Sequence, residues 1–163
     1  MNAQVWIAMA VGIAAMVDDL ARRHIANWIP AAALAGGLGW QIGSDGWHGL
    51  LTSLGGTVVG FCVFLIFYLK GGMGGGDVKL MAGFGALLGA SLVLQAAIWG
   101  AAIGGVMALS ALLWRSARKK WKARGVQGNA PEVLTPEQQE RAATIPYAPA
   151  ITLGVWLVLA AKA

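Results

Sequence analysis

Cysteine occurs once in 163 residues, at position 62, so neither a disulfide framework nor a multi-cysteine zinc site can be built. Cys62 lies inside an apolar stretch and reads as a small packing residue. Charge is scarce as well: 12% of residues are Asp, Glu, Lys or Arg, against about 25% in an ordinary soluble domain. Only seven residues are acidic, while 58% of the chain is hydrophobic and the mean hydropathy is +0.66. These figures exclude a conventional soluble domain and point to an all-α membrane protein. The length suits a single membrane-embedded domain over residues 1–163. A net charge of +5 would suggest nucleic acid as partner of a soluble protein. No nucleic-acid-binding signature accompanies it here, and none is expected to bind.

What the chain has instead is apolar runs. They cover residues 3–17, 28–42, 47–69, 78–88, 91–114 and 145–161, and six transmembrane helices are expected from them. The break between the fourth and fifth runs, Gly89-Ala90-Ser91, is faint. The first run does not read as a secretory signal, because no Lys or Arg precedes it and Asp18-Asp19 closes it. Trp6, Trp28, Trp47, Trp114 and Trp156 fall near run boundaries, as in an interfacial aromatic belt. Gly36-Gly37-Leu38-Gly39 and the stretch 100–105 predict close helix packing.

Basic residues orient the runs. Arg22 and Arg23 follow the first, Lys70 and Lys79 flank the third loop, and Arg115, Arg118, Lys119, Lys120, Lys122, Arg124 and Arg141 lie in the fifth. Only Lys162 falls elsewhere. Odd loops are basic and even loops nearly bare, which the positive-inside rule reads as both termini outside the cytoplasm. The surplus positive charge then faces anionic lipid headgroups. Residues 115–144 are expected as a cytoplasmic polar loop. It starts as a helical extension over 115–124, and Thr135-Pro136-Glu137-Gln138 resembles a second helix start.

The same topology sorts the acids. Asp19 is about 24 Å along the first helix, at ~1.5 Å per residue, and Asp77 opens the fourth run, so both reach the cytoplasmic face. Asp45 lies in an outer loop, and Glu132, Glu137 and Glu140 lie in the polar loop. Asp77 follows a bare stretch, Gly71-Gly72-Met73-Gly74-Gly75-Gly76. No Gly-Lys-Ser/Thr follows, so this is not a phosphate-binding loop. Gly74, Gly75 and Gly76 are expected to take positive φ and let a substrate backbone approach closely. Two carboxyls held together share a proton, and so supply both the base that activates water and the acid that protonates a carbonyl. That chemistry hydrolyses peptides with no metal and no cofactor. Each acid also has a plainer role open to it: Asp18 and Asp19 pairing with Arg22 and Arg23, and Asp77 capping a helix. His24 reads as a headgroup or loop contact rather than a ligand.

Asp19-Leu20-Ala21-Arg22-Arg23-His24-Ile25-Ala26-Asn27 resembles the signature of the type IV prepilin peptidases, which are GxGD aspartyl proteases. In that signature an aspartate is followed by basic residues and then Ile-Pro-Asn. Gly74-Gly75-Gly76-Asp77-Val78-Lys79-Leu80 matches the family's GxGD-x-K motif, and Ile145-Pro146-Tyr147-Ala148-Pro149-Ala150-Ile151 resembles its proline-containing start of the last span. The matches come in the right order and cover nearly the whole chain.

The resemblance implies cleavage of the basic leader of prepilins or pseudopilins, after a glycine, at the cytoplasmic face of a bacterial inner membrane. Asp19 and Asp77 take the places of the catalytic aspartates; Asp18 is one residue out of register. Gly74, Gly75 and Gly76 are expected to receive the scissile junction, Lys79 to meet an acidic group on the pilin, and Asn27 to hold the first loop near Asp19. Ala26 stands where the family pattern has proline, which implies a less rigid loop. No cysteine-rich insertion separates the first two runs, so the chain is similar to the compact tight-adherence (Flp) pilus type, without N-methyltransferase activity. Two alternatives stand beside this one. The first is a non-catalytic membrane subunit of a pilus or secretion assembly. The second is a GxGD protease cutting other membrane substrates, although the Tyr-Asp and Pro-Ala-Leu motifs of the presenilin type are missing.

Overall fold

The fold is given by a computed structural model that describes residues 3–71, 73–124 and 147–162. Among these, every regular element is an α-helix: α1 Ala3–Arg22, α2 Trp28–Leu69, α3 Gly75–Leu88, α4 Ala90–Arg124 and α5 Ala148–Lys162. Two expected runs are joined in α2, which is helical on both sides of Gly46 but carries φ 53°, ψ −125° at that residue. An L side chain resists this conformation and glycine does not. The loop expected around Asp45 is thereby reduced to a one-residue corner between two arms, 28–45 and 47–69. The faint break between α3 and α4 is equally short, with Gly89 at φ 79°.

Helix–helix contacts fix the directions. Gln4 at the start of α1 donates to the carbonyl of Leu87 at the end of α3, whereas Asp19 meets Ala148 at the start of α5. Thr152 then faces Gly12, and Trp156 faces Ala8. So α1 runs antiparallel to both α3 and α5. On α3, Gly83 meets Ala33, while Gly37 meets Ala86 and Leu87, which makes the first arm of α2 parallel to it. Gly56 meets Gly85, and Gly60 meets Met81, which makes the second arm antiparallel. The helical rods therefore alternate in direction along the chain. One end of the bundle holds Asp19, Asp77 and Ala148; the other holds Gln4, Gln41 and Leu87.

The core lies around α3. Met81, Phe84 and Leu87 are fully enclosed, and every residue from Leu80 to Leu88 is buried. This helix is sandwiched by the two arms of α2 at glycine-to-backbone distance: a Cβ on Gly37 would lie 2.5 Å from the Leu87 nitrogen, and one on Gly56 would collide with the Gly85 carbonyl. Small residues earn such contact in an apolar solvent, where association is driven by packing rather than by water release. The last carbonyls of a helix lack intrahelical donors. At Leu87 the gap is filled from two sides, by Gln4 Nε2 at 2.7 Å and Gln41 Nε2 at 3.2 Å.

Among the described residues, three helices are long and apolar enough to cross a membrane: α1, α2 and the Ala90–Trp114 part of α4. The expected helical extension over 115–124 is present as the continuation of α4 to Arg124. The rest of the polar segment, including the helix start expected at 135–138, lies outside the described residues. Three expectations need correction. Cys62 is exposed on the outer face of α2, because its side of the helix is turned away from α3. Trp156 is not a belt residue, since its indole reaches the Ala8 carbonyl of α1 and its ring fills the space beside Gly12. Gly39 and Gly105 have open space in front of them and do not serve the close packing expected of their runs.

Gly56→Val should lower thermal stability in detergent by about 1–3 kcal/mol through overpacking against the Gly85 carbonyl. Gly39→Ala, facing open space, should leave stability equal or raise it by about 0.5–1 kcal/mol. Melting followed by size-exclusion profile checks both.

Candidate active site

The end of α1 is shaped by its last polar residues. Arg23 terminates the helix with φ 53°, an uncommon left-handed conformation for a residue with a side chain, and its amide still bonds the Asp19 carbonyl at 2.8 Å. Successive residues of a helix point about 100° apart, so Asp18 and Asp19 face different neighbours. Asp18 turns into the first loop: Oδ2 accepts the Ala26 amide at 2.8 Å, and Oδ1 pairs with Arg22 Nε at 3.4 Å. Asp19 turns inward and is 6% exposed.

Asp19 is answered by a different helix. Its Oδ2 accepts the amide of Ala148, the first residue of α5, at 3.0 Å. The first amides of a helix have no intrahelical acceptor, and the helix dipole favours negative charge there. A carboxylate closing α1 thus serves as the acceptor that opens α5. The arrangement brings together residues far apart in sequence.

Asp77 sits in the first turn of α3, 7% exposed. Its Oδ2 accepts the amide of Gly74 at 3.1 Å, and its own amide donates to the Gly74 carbonyl at 3.2 Å. This is the reach-back of an acidic residue at the third helical position toward the residue before the helix. The contacts of Ile25 with Gly76 and of Asn27 with Lys79 bring the start of α3 to the end of α1 that carries Asp19. Two buried carboxyl groups therefore converge at one end of the bundle, each held by the amide of a helix start.

The remaining site residues surround this pair. Asn27 Oδ1 accepts from Lys79 Nζ at 2.9 Å, which ties the first loop to α3. The Asn27 side chain is thereby used across the loop and does not cap α2. The positive φ expected of the glycine stretch is found at Gly71 and not at Gly74, Gly75 or Gly76. Gly74 is extended at φ −80°, ψ 154°, and Gly75 and Gly76 already belong to α3, whose first turn imposes helical angles. Their missing side chains serve contact instead. A Cβ on Gly76 would stand 3.2 Å from Ile25, and one on Gly75 would stand 3.6 Å from the Tyr68 ring. His24 is exposed in the first loop. Among the described residues no cluster of three or more His, Cys, Asp or Glu could hold a metal ion.

Sequence reasoning assigned no role to the Ala148 amide. The signal that could have found it is Pro149, since proline belongs in a first helical turn and so places helix-terminal amides at the residues beside it. Ala26, where the family pattern has proline, makes a bond that a proline could not make. Proline has no amide hydrogen, whereas Ala26 uses its own to reach Asp18, so the loop is restrained by a different bond.

In comparison with known proteins, the family model described as the type IV leader peptidase family matches residues 6–109. No curated protein and no solved structure matches the chain. The matched stretch contains both convergent acids and stops short of α5, whose amide completes the surroundings of Asp19.

Asp19→Leu should leave the Ala148 amide buried and unbonded, at a cost of about 1–3 kcal/mol. Asp19→Asn keeps an oxygen acceptor and should melt within about 1 kcal/mol of the parent, the scale of one neutral hydrogen bond. Thermal unfolding of the two variants side by side checks this.

Proposed function

Because the chain belongs to the type IV leader peptidase family, we propose that it is an aspartyl endopeptidase that removes the basic leader of a prepilin or pseudopilin, using Asp19 and Asp77 as its catalytic pair. The observation that carries this reading is the convergence of two buried carboxyl groups from distant segments, each fixed by a helix-terminal amide. Oδ2 of each accepts a backbone amide, which leaves Oδ1 of each for the attacking water.

One carboxylate takes a proton from that water as its oxygen attacks the scissile carbonyl. The other carboxyl gives its proton to the carbonyl oxygen, and a gem-diol results. Collapse breaks the C–N bond: one gem-diol hydroxyl returns its proton to the carboxylate that had given one, and the proton taken from water passes to the leaving nitrogen. The products are a leader ending in a carboxyl group and a pilin with a new amino terminus. The reaction consumes one water and calls on no cofactor or metal.

In this reading the alternating rods cross the membrane six times with both termini outside. The position of Arg22, Lys70 and Lys79 at the acid end of the bundle, and of Lys162 at the opposite end, supports the cytoplasmic placement of that end. The substrate's apolar segment lies in lipid, its leader lies among the basic loops and anionic headgroups, and its glycine junction enters beside Gly74, Gly75 and Gly76. Lys79 and Asn27 border the entrance. The short first loop, without cysteine, supports peptidase activity without N-methyl transfer, as in the compact Flp type of a bacterial inner membrane.

Purified protein incubated with a synthetic prepilin leader peptide should yield two products whose masses place the cut after glycine. Asp19→Asn and Asp77→Asn should each reduce the rate by about 10²–10⁴, the usual worth of a general acid or base. Full processing by either folded variant would remove that residue from the mechanism. Failure of the unsubstituted protein to cut would return the chain to a non-catalytic role in a membrane assembly.

A further inference from the structure

We infer that Asp18 is a positioning residue for the catalytic pair: through the Ala26 amide it fastens the first loop into a strap that sets where Asp19 stands relative to Asp77. The inference rests on the peptidase reading above and adds a role for an acid that the chemistry itself does not use.

The strap is short and fastened at three places. At Ala26 it is bonded back to α1, because the amide reaches Asp18 Oδ2 at 2.8 Å. At Ile25, 3% exposed, it is pressed against Gly76 on the residue preceding Asp77. At Asn27 it is bonded to Lys79, two residues beyond Asp77, at 2.9 Å. The first attachment adjoins one catalytic acid in sequence, and the other two bracket the second. Tension or slack in this loop is therefore transmitted to the spacing of the two carboxyls.

The attachments differ in strength. Arg22 is 76% exposed on its side chain, and its pairing with Asp18 is a surface contact that contributes little. The Ala26 bond is short and only partly open to solvent, both of which favour it. The loop also needs holding. Arg23 has positive φ without being glycine, a conformation that persists only where surrounding contacts enforce it. On the α1 side the Arg23 amide is bonded to the Asp19 carbonyl, and Asp18 adds a side-chain contact to the same loop. With proline at 26 the ring would restrain the loop and no amide would be available; with alanine the restraint has to come from outside the residue, and Asp18 provides it.

The test uses the full chain in detergent with the synthetic leader peptide, comparing the parent, Asp18→Leu and Asp18→Asn. Asp18→Leu removes the acceptor, and kcat should fall by about 10- to 100-fold, on the scale of an ångström-size misplacement of reacting groups, with KM unchanged. Asp18→Asn keeps a side-chain oxygen for the Ala26 amide while losing the charge that Arg22 meets. It should recover most of kcat, and hydrogen exchange at the Ala26 amide should stay slow in it and become fast in Asp18→Leu. Should Asp18→Leu fail to fold, Asp18→Ala is read against Asp18→Asn in the same way. Equal kcat in parent and acceptor-free variant overturns the inference, as does a loss in Asp18→Asn as large as in the acceptor-free variant. A parent without activity instead overturns the peptidase reading, and this inference with it.

Discussion

A carboxyl group buried among apolar helices must be answered by fixed polar partners, since water is not at hand to solvate it. This bundle answers with helix starts. The amide of Ala148 opens α5 toward Asp19, and the amide of Gly74 precedes α3 beside Asp77. Both donors are backbone groups that a helix leaves unbonded in any case. The same contacts that make the acids tolerable also fix their position, so stability and placement of the site have one origin.

Placing two helix starts at one depth requires the bundle behind them to be stiff. That role falls to α3, enclosed by both arms of α2 at backbone distance through Gly37, Gly56 and Gly60. Its far end is held by Gln4 and Gln41 on the Leu87 carbonyl. With α3 secured along its length and at its end, Asp77 in its first turn has little freedom. The Asp19 side depends more on loop contacts, on Ile25 against Gly76 and on Asn27 with Lys79.

Much of this was legible from the residues. The apolar runs foretold the helical rods within a few residues, because length and hydropathy decide where a helix can lie against lipid. The corners at Gly46 and Gly89 were harder to read. A single glycine with positive φ ends a rod without any polar interruption, and nothing in composition separates it from a glycine that packs, such as Gly56. Which of two adjacent acids turns inward was read from the spacing of a motif; in the structure it follows from the rotation of the helix, with Asp18 toward the loop and Asp19 toward α5. The conformation of Gly74, Gly75 and Gly76 was misread, since glycine permits positive φ without requiring it. The part played by Ala148 was out of reach because a backbone amide leaves no mark on side-chain identity.

The bond between Asp19 and Ala148 has a bearing on biosynthesis. A nascent polypeptide that has emerged only as far as α4 holds both acids but lacks the donor facing one of them. Docking of α5 then does more than add a wall to the bundle: it closes a contact with α1. Asp19 thus gains this partner only once α5 has docked beside α1.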